Sequence, residues 1–373
     1  MPAIKVENGK LSARGMFFLK DFCEICQIDW RRKPPTKRVK YMSNELRRTL
    51  AENGSLKPRA DTVLRSLKTE WLHHEAHGLK NPRTTYQVSL DRVAAAWLKV
   101  FPLLSRMEIE VTLGREVTGG EELLGTYETL LHRLNEHVDA CEEILRCLRP
   151  PINGKIHKFH WQFLDATALP GWKAFQEGVI KRYRDPCLAV LVNELKHASG
   201  HLTLCNASTP DGPICGFFLN GPHPGEAIGP NKKLHKPMGK VQTAFSFRRD
   251  MMMNFWLIYQ IGEAVARCVE DTIQHDHQQA VVEVPPAKPS PEWARLCEEC
   301  AGLKGAFFPD EETKERPIIV VPKDASSLSI KLGSGRRSRQ LRLMDVKVVM
   351  TIKEGTPSYA MPYFLGTDAQ ARR

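Results

Sequence analysis

Between Gly119 and Pro151 the chain reads GGEELLGTYETLLHRLNEHVDACEEILRCLRPP. Leu123, Leu124, Tyr127, Leu130, Leu131, Leu134, Val138, Cys141, Ile144, Leu145 and Leu148 recur at the three- and four-residue spacing of one helix face. Two glycines open the run and Pro150-Pro151 close it, so a long amphipathic helix that must bury one side is required here. Few other arrangements of this text would hide its leucines. Two further stretches share this character. VSLDRVAAAWLKVFPLLSRMEIEV precedes the first, with Pro102 expected to kink it, and AFSFRRDMMMNFWLIYQIGEAVARCVEDTIQ follows later. The Met, Phe and Trp stripe of the last reads as core. Another helical region is expected from Gly171 to about Gly200, with a fresh start at Asp185-Pro186. The expected fold class is therefore mainly α, with a central helical bundle at residues 87–276.

The flanks differ from this centre. Residues 1–86 are expected to form a basic N-terminal helical segment. One short helix would be capped by Ser43 or Asn44 and stop at Asn53-Gly54. A second would run from about Asp61 to His77, with Val63, Leu64, Leu67 and Trp71 inward. Within the bundle, residues 205–240 are rich in Gly, Pro and Asn and read as a long loop or small hairpin insertion. A polar, then proline-rich linker covers 277–293. RPIIVVPKD, SSLSIKL and QLRLMDVKVVMTI then read as strands of a small β-containing C-terminal module at 294–373.

At 373 residues, 42% hydrophobic and 26% charged, the chain can build a sizeable core. No apolar run reaches the length of a membrane span. The start, MPAIKVENGKLSARG, lacks the apolar stretch of a secretory signal, so a cytoplasmic setting is expected. Ten scattered cysteines are no disulfide framework. The net charge of +11 is unevenly spread: both ends are basic and the middle is net acidic. Such ends point to a polyanion. Arg31, Arg32, Lys33, Lys37, Arg38 and Lys40 lie between Trp30 and Tyr41, which pairs cations with stacking planes. Arg336, Arg337 and Arg339 form a second patch in GSGRRSR. Both are candidate nucleic-acid contacts, and both also suit a solvated surface or an acidic protein partner.

The sharpest cluster is LVNELKHASGHLTL, residues 191–204. On a continuous helix Asn193, His197 and His201 would lie one above another. Lys196-His197-x-x-x-His201 resembles the R-x(4–6)-H signature of the HEPN superfamily, helical domains found in many ribonucleases. The resemblance spans residues 90–275 and sets Lys196 on the motif Arg and His201 on the motif His. It implies metal-independent RNA cleavage across a homodimer: His201 as acid/base, Lys196 offsetting phosphoryl charge, His197 or Asn193 positioning phosphate. Lys in place of Arg removes the planar fork suited to phosphate, which points toward weakened catalysis or a non-catalytic interaction fold.

Metal chemistry has two footholds. Glu194, His197 and His201 would share neighbouring helix faces, but the His-Glu-x-x-His order of zinc proteases is absent. Cys23-Cys26 and Cys297-Cys300 each have the C-x-x-C spacing that grips zinc, and one four-thiolate site would have to join distant segments. Each pair equally fits a helical i, i+3 couple. No phosphate-binding glycine loop and no G-x-S-x-G elbow occurs. The expectation is an RNA- or nucleic-acid-associated protein that needs no cofactor, or a non-catalytic dimerising scaffold, with zinc a further option.

Overall fold

Two long central helices pair side by side. The computed structural model describes residues 4–7, 10–17, 45–50, 55–152, 157–197, 200–209, 211–223, 228–239, 241–282, 290–335, 344–351 and 360–363. Within these the chain is mainly α with some antiparallel β. Three strands come first, β1 (Ile4–Glu7), β2 (Lys10–Phe17) and β3 (Glu45–Thr49), then a short α1 (Arg59–Arg65). Helix α2 (Pro82–Thr112) starts where the Asn81 side chain accepts from the Arg83 N–H at 3.0 Å and Pro82 takes the first turn. It continues through Pro102. Helix α3 (Gly120–Arg146) begins after Gly119, whose φ of 71° turns the chain back. The two run antiparallel, since Arg106 meets Glu122 at one end and Ser89 meets His137 at the other.

Almost the whole leucine face read from the sequence is buried, from Leu123 through Leu145. Helix α4 (His160–Ala166) and the short α5 (Trp172–Phe175) follow, then a π-helical segment (Gln176–Ala189) that runs into α6 (Val190–His197). The third apolar stretch is α7 (Phe247–His277). Its Phe255 packs edge-on against Trp97 of α2, 5.9 Å between ring centres, and its Phe247 meets Tyr127 of α3 at 4.9 Å. No helix among the described residues is long and apolar enough to cross a membrane.

Strands within the expected insertion at 205–240 reach the interior. β4 (Leu202–Thr209) and β5 (Gly212–Pro222) form a hairpin whose Leu204, Phe217 and Leu219 join the main core. β6 (Ile228–Pro230) and β7 (Phe245–Ser246) add to β5. Gly216 shows why glycine is used here: a Cβ would sit 2.4 Å from the Phe245 carbonyl and 2.5 Å from the Phe308 ring.

The last elements are α8 (Pro291–Ala301), α9 (Pro309–Glu312), β8 (Arg316–Val320), β9 (Ser327–Gly333) and β10 (Met344–Thr351), so the three strands expected in the C-terminal part are present. Two of them pair with the other end of the chain, β10 with β2 and β9 with β3. The larger sheet runs β1-β2-β10-β4-β5-β6, and the smaller one β3-β9-β8. Of the two helices expected in the N-terminal segment, the first is replaced by a strand and the second is formed only in part. ELRRT forms β3 because Leu46 and Arg48 alternate inward, and the buried Arg48 donates to the Lys57 carbonyl at 3.0 Å and to Thr62 Oγ1 at 3.1 Å. The helix expected to reach His77 stops at Arg65, followed by two 3-10 turns. The C-terminal end of the expected linker is anchored as well. Trp293 is buried, and its indole N–H is shared between the Leu56 carbonyl at 3.2 Å and Tyr259 Oη at 2.9 Å.

Candidate functional site

Helix α6 ends at His197, four residues before His201. Gly200 donates its N–H to the Glu194 carbonyl at 3.3 Å, and the chain turns into β4. The continuous helical stripe considered from the sequence is therefore not formed, and His201 does not stack on His197 one helical turn on. Asn193, Lys196, His197 and His201 are all exposed. Glu194 faces elsewhere, held by Lys233 and by Asn231 Nδ2 at 3.3 Å, so the Glu194-His197-His201 metal arrangement is not assembled.

Lys196 and His201 serve different stretches of α3. Lys196 lies within electrostatic reach of His132 and Asp139. Burial lowers the affinity of His132 for a proton, and the nearby Lys196 charge lowers it further. His201 opens instead onto the first turn of α3. There it lines a cleft of about 550 Å³ with Glu116, Thr118, Gly119, Glu121 and Thr203. From Gly120 to His132 the helix spans ~18 Å at 1.5 Å per residue.

The cleft is rigidly built. Glu110 accepts from the Thr118 N–H at 2.8 Å and from its hydroxyl at 2.6 Å, bonds that favour the ionised carboxylate and hold its pKa below the usual range. On the opposite wall the Asn220 N–H donates to the His201 carbonyl at 3.0 Å, and Asn220 Nδ2 donates to Thr203 Oγ1 at 2.6 Å. Among the described residues no group hydrogen-bonds the His201 ring, so no partner fixes its tautomer or orientation. An exposed imidazole beside the N-terminal turn of a long helix can exchange a proton near a bound anion. Glu116 and Glu121 on the same rim oppose a highly charged one.

A second polar strip occupies α3 beyond Lys196, and sequence reasoning did not find it. Arg184, from the π-helical segment, donates to Asn135 Oδ1 at 2.8 Å and pairs with Asp139 at 3.3 Å and Asp185 at 3.3 Å. Glu142 sits one turn on, 8% exposed. Its burial pushes the carboxyl up to about 7, against the pull of Arg184. The π geometry, which seats Arg184 here, has no marker in the sequence beyond Asp185-Pro186.

The thiol pairs divide. Cys297 and Cys300 are the inward face of α8, both buried, with Cys297 Sγ 3.6 Å from Tyr259 Oη. Burial pushes the Cys297 thiol up to about 12 and raises Cys300 too, which disfavours the thiolates that zinc requires. Among the described residues no group of three or more His, Cys, Asp or Glu gathers in metal-binding range. Cys23 and Cys26 lie outside the described residues, as do Arg31, Arg32, Lys33, Lys37, Arg38 and Lys40 and the loop cations Arg336, Arg337 and Arg339. No family model, no curated protein and no solved structure matches the chain.

Proposed function

We propose that the chain is a nucleic-acid-associated protein, with RNA the favoured partner. A HEPN-like bundle of α2, α3 and α7 would form its body, and a homodimer in the cytoplasm its working state. The observation that carries this reading is charge: +11 net, with a pI of about 9.2 and the excess concentrated at the two ends. Lysines and arginines in that number bind a phosphate backbone chiefly by releasing its counterions. No metal is needed for this.

Binding without cleavage is the form of the reading that we favour. The motif Arg is replaced by Lys196, which offers a point charge in place of a bidentate fork. Lys196 acts on the middle of α3, whereas His201 opens on its first turn with an unheld ring. A nuclease needs the acid/base and the cation on the same phosphate.

Two assays on the full chain test this. Anisotropy of labelled single-stranded RNA should show binding that weakens steeply as salt rises. End-labelled RNA incubated in EDTA should stay intact with both the wild type and His201→Ala. Cleavage by the wild type alone would make the protein a metal-independent nuclease. Absence of binding at low salt would remove the nucleic-acid reading altogether.

A further inference from the structure

The segment HKFHWQF, residues 157–163, alternates cationic or imidazole side chains with aromatic ones as it enters α4. Phe163 is buried, and three groups close over it. The Arg146 guanidinium lies 5.0 Å from its ring centre, and the His77 and His157 rings meet it edge-on at 5.1 and 5.8 Å. Burying Phe163 leaves the other two rings outside. Phe159 is 47% exposed and Trp161 43%, unusual for side chains this large and apolar. Their planes differ by only 10°, with centres 6.4 Å apart, and Lys158 Nζ stands 5.2 Å over the Phe159 face.

The charge around the rings is mostly positive. Among the described residues neither Lys158 nor Arg146 has a carboxylate within salt-bridge distance. Arg146 donates to His77 Nδ1 at 3.2 Å, so His77 is held with its proton on Nε2, which donates to the Arg149 carbonyl at 2.8 Å. His157 Nε2 and His160 Nδ1 are buried with no hydrogen-bond partner. Glu143 is an acidic neighbour, 4.0 Å from His160.

We propose that Phe159 and Trp161 form a stacking platform for consecutive bases of a single-stranded nucleic acid, with Lys158 beside them to meet the phosphates. The inference rests on the nucleic-acid reading above and names a site for it. Parallel aromatic faces suit bases, because every base has a flat π-face, and stacking needs no particular sequence. A duplex keeps its bases stacked on one another and offers the platform nothing but its backbone.

The test is titration of fluorescein-labelled oligouridylate into the full chain, comparing wild type, Phe159→Ala, Trp161→Ala, the double variant and Trp161→Phe. Both rings are outside the core, so circular dichroism should be unchanged. Each ring removed should weaken binding about ten-fold, with the salt slope unaltered because no charge is lost. Trp161→Phe should recover most of the affinity, and duplex binding should be indifferent to all four changes. Equal binding of oligouridylate by wild type and double variant would overturn the platform and leave the nucleic-acid reading standing. Failure of the wild type to bind any oligonucleotide would overturn both.

Discussion

Glu142→Gln should stabilise the protein, and more so the higher the pH. Glu142 is buried on α3, and the removal of water from its carboxyl outweighs the attraction of Arg184. Its folded pKa is raised from 4.5 to about 7, so between these values the folded state keeps a proton that the unfolded chain has released. Stability then falls with rising pH by about 1.4 kcal/mol per unit across that window. The loss is complete above the folded pKa and sums to ~3 kcal/mol. Glutamine has the same shape as the protonated acid and does not titrate. The variant should therefore match the wild type at pH 4 and exceed it by ~3 kcal/mol at pH 8.

Urea unfolding followed by tryptophan fluorescence at closely spaced pH values reads this directly. The two stability curves should diverge between pH 4.5 and 7 and run parallel on either side. Curves parallel throughout would mean that Glu142 ionises as freely in the fold as in the unfolded chain, and the burial argument for the polar strip would fail. A variant equal to the wild type at pH 4 but less stable at pH 8 would show that the carboxylate–Arg184 attraction outweighs the cost of burial.

Other outcomes follow from equally local features. His137 is fully buried between Ser89 Oγ at 2.9 Å and Cys141, and burial lowers its pKa to about 4. The unfolded chain takes up the proton first, so acidification from pH 6.5 to 4 should cost the fold ~3 kcal/mol through this ring, and His137→Gln should flatten that limb of the urea-stability profile. Gly216→Ala drives a methyl against the Phe245 carbonyl and the Phe308 ring and should lower stability by about 1–3 kcal/mol, visible as a drop in Tm. Tyr259→Phe removes the hydroxyl that donates to the Leu56 carbonyl at 2.6 Å and accepts from Trp293. A loss of about 1–3 kcal/mol is expected, with tryptophan emission changed because the Trp293 indole loses a partner.

What the sequence disclosed was set by how local each signal is. Helices α2, α3 and α7 are written in a period that each segment carries by itself, so their inward faces were readable residue by residue. β3 was misread because its pattern is completed by a buried arginine, and Arg48 becomes tolerable only through Lys57 and Thr62, which no local rule brings into view. Glycine and proline over 205–240 point to a loop or a hairpin insertion, and the hairpin is formed; what they do not disclose is its packing, with Gly216 placed where β7 and Phe308 approach closely. The stacking of His201 on His197 needs the helix to run through both, and α6 ends at His197, with the Gly200 N–H returning to the Glu194 carbonyl. β10 lying between β2 and β4 joins segments far apart in the chain, and pairing of that kind leaves no short-range trace.

The two surfaces singled out lie at opposite ends of one rigid element. The His201 cleft opens at the first turn of α3, and the Phe159–Trp161 platform sits by its last, where Arg146 covers Phe163 and Glu143 meets His160. At 1.5 Å per residue the 27 residues of α3 separate them by ~40 Å. A stacked single strand rising ~3.4 Å per nucleotide needs about 12 nucleotides to cover that distance, fewer if extended. Glu116 and Glu121 on the cleft rim oppose a polyanion, so the platform should be the single-strand site. Oligouridylates of five and of twenty should both bind at one per chain, and both should be weakened by the Phe159→Ala, Trp161→Ala pair. Calorimetric titration reads this directly: two short oligomers per chain but one long one, with affinity rising as the stoichiometry halves, would refute it and join cleft and platform into one path.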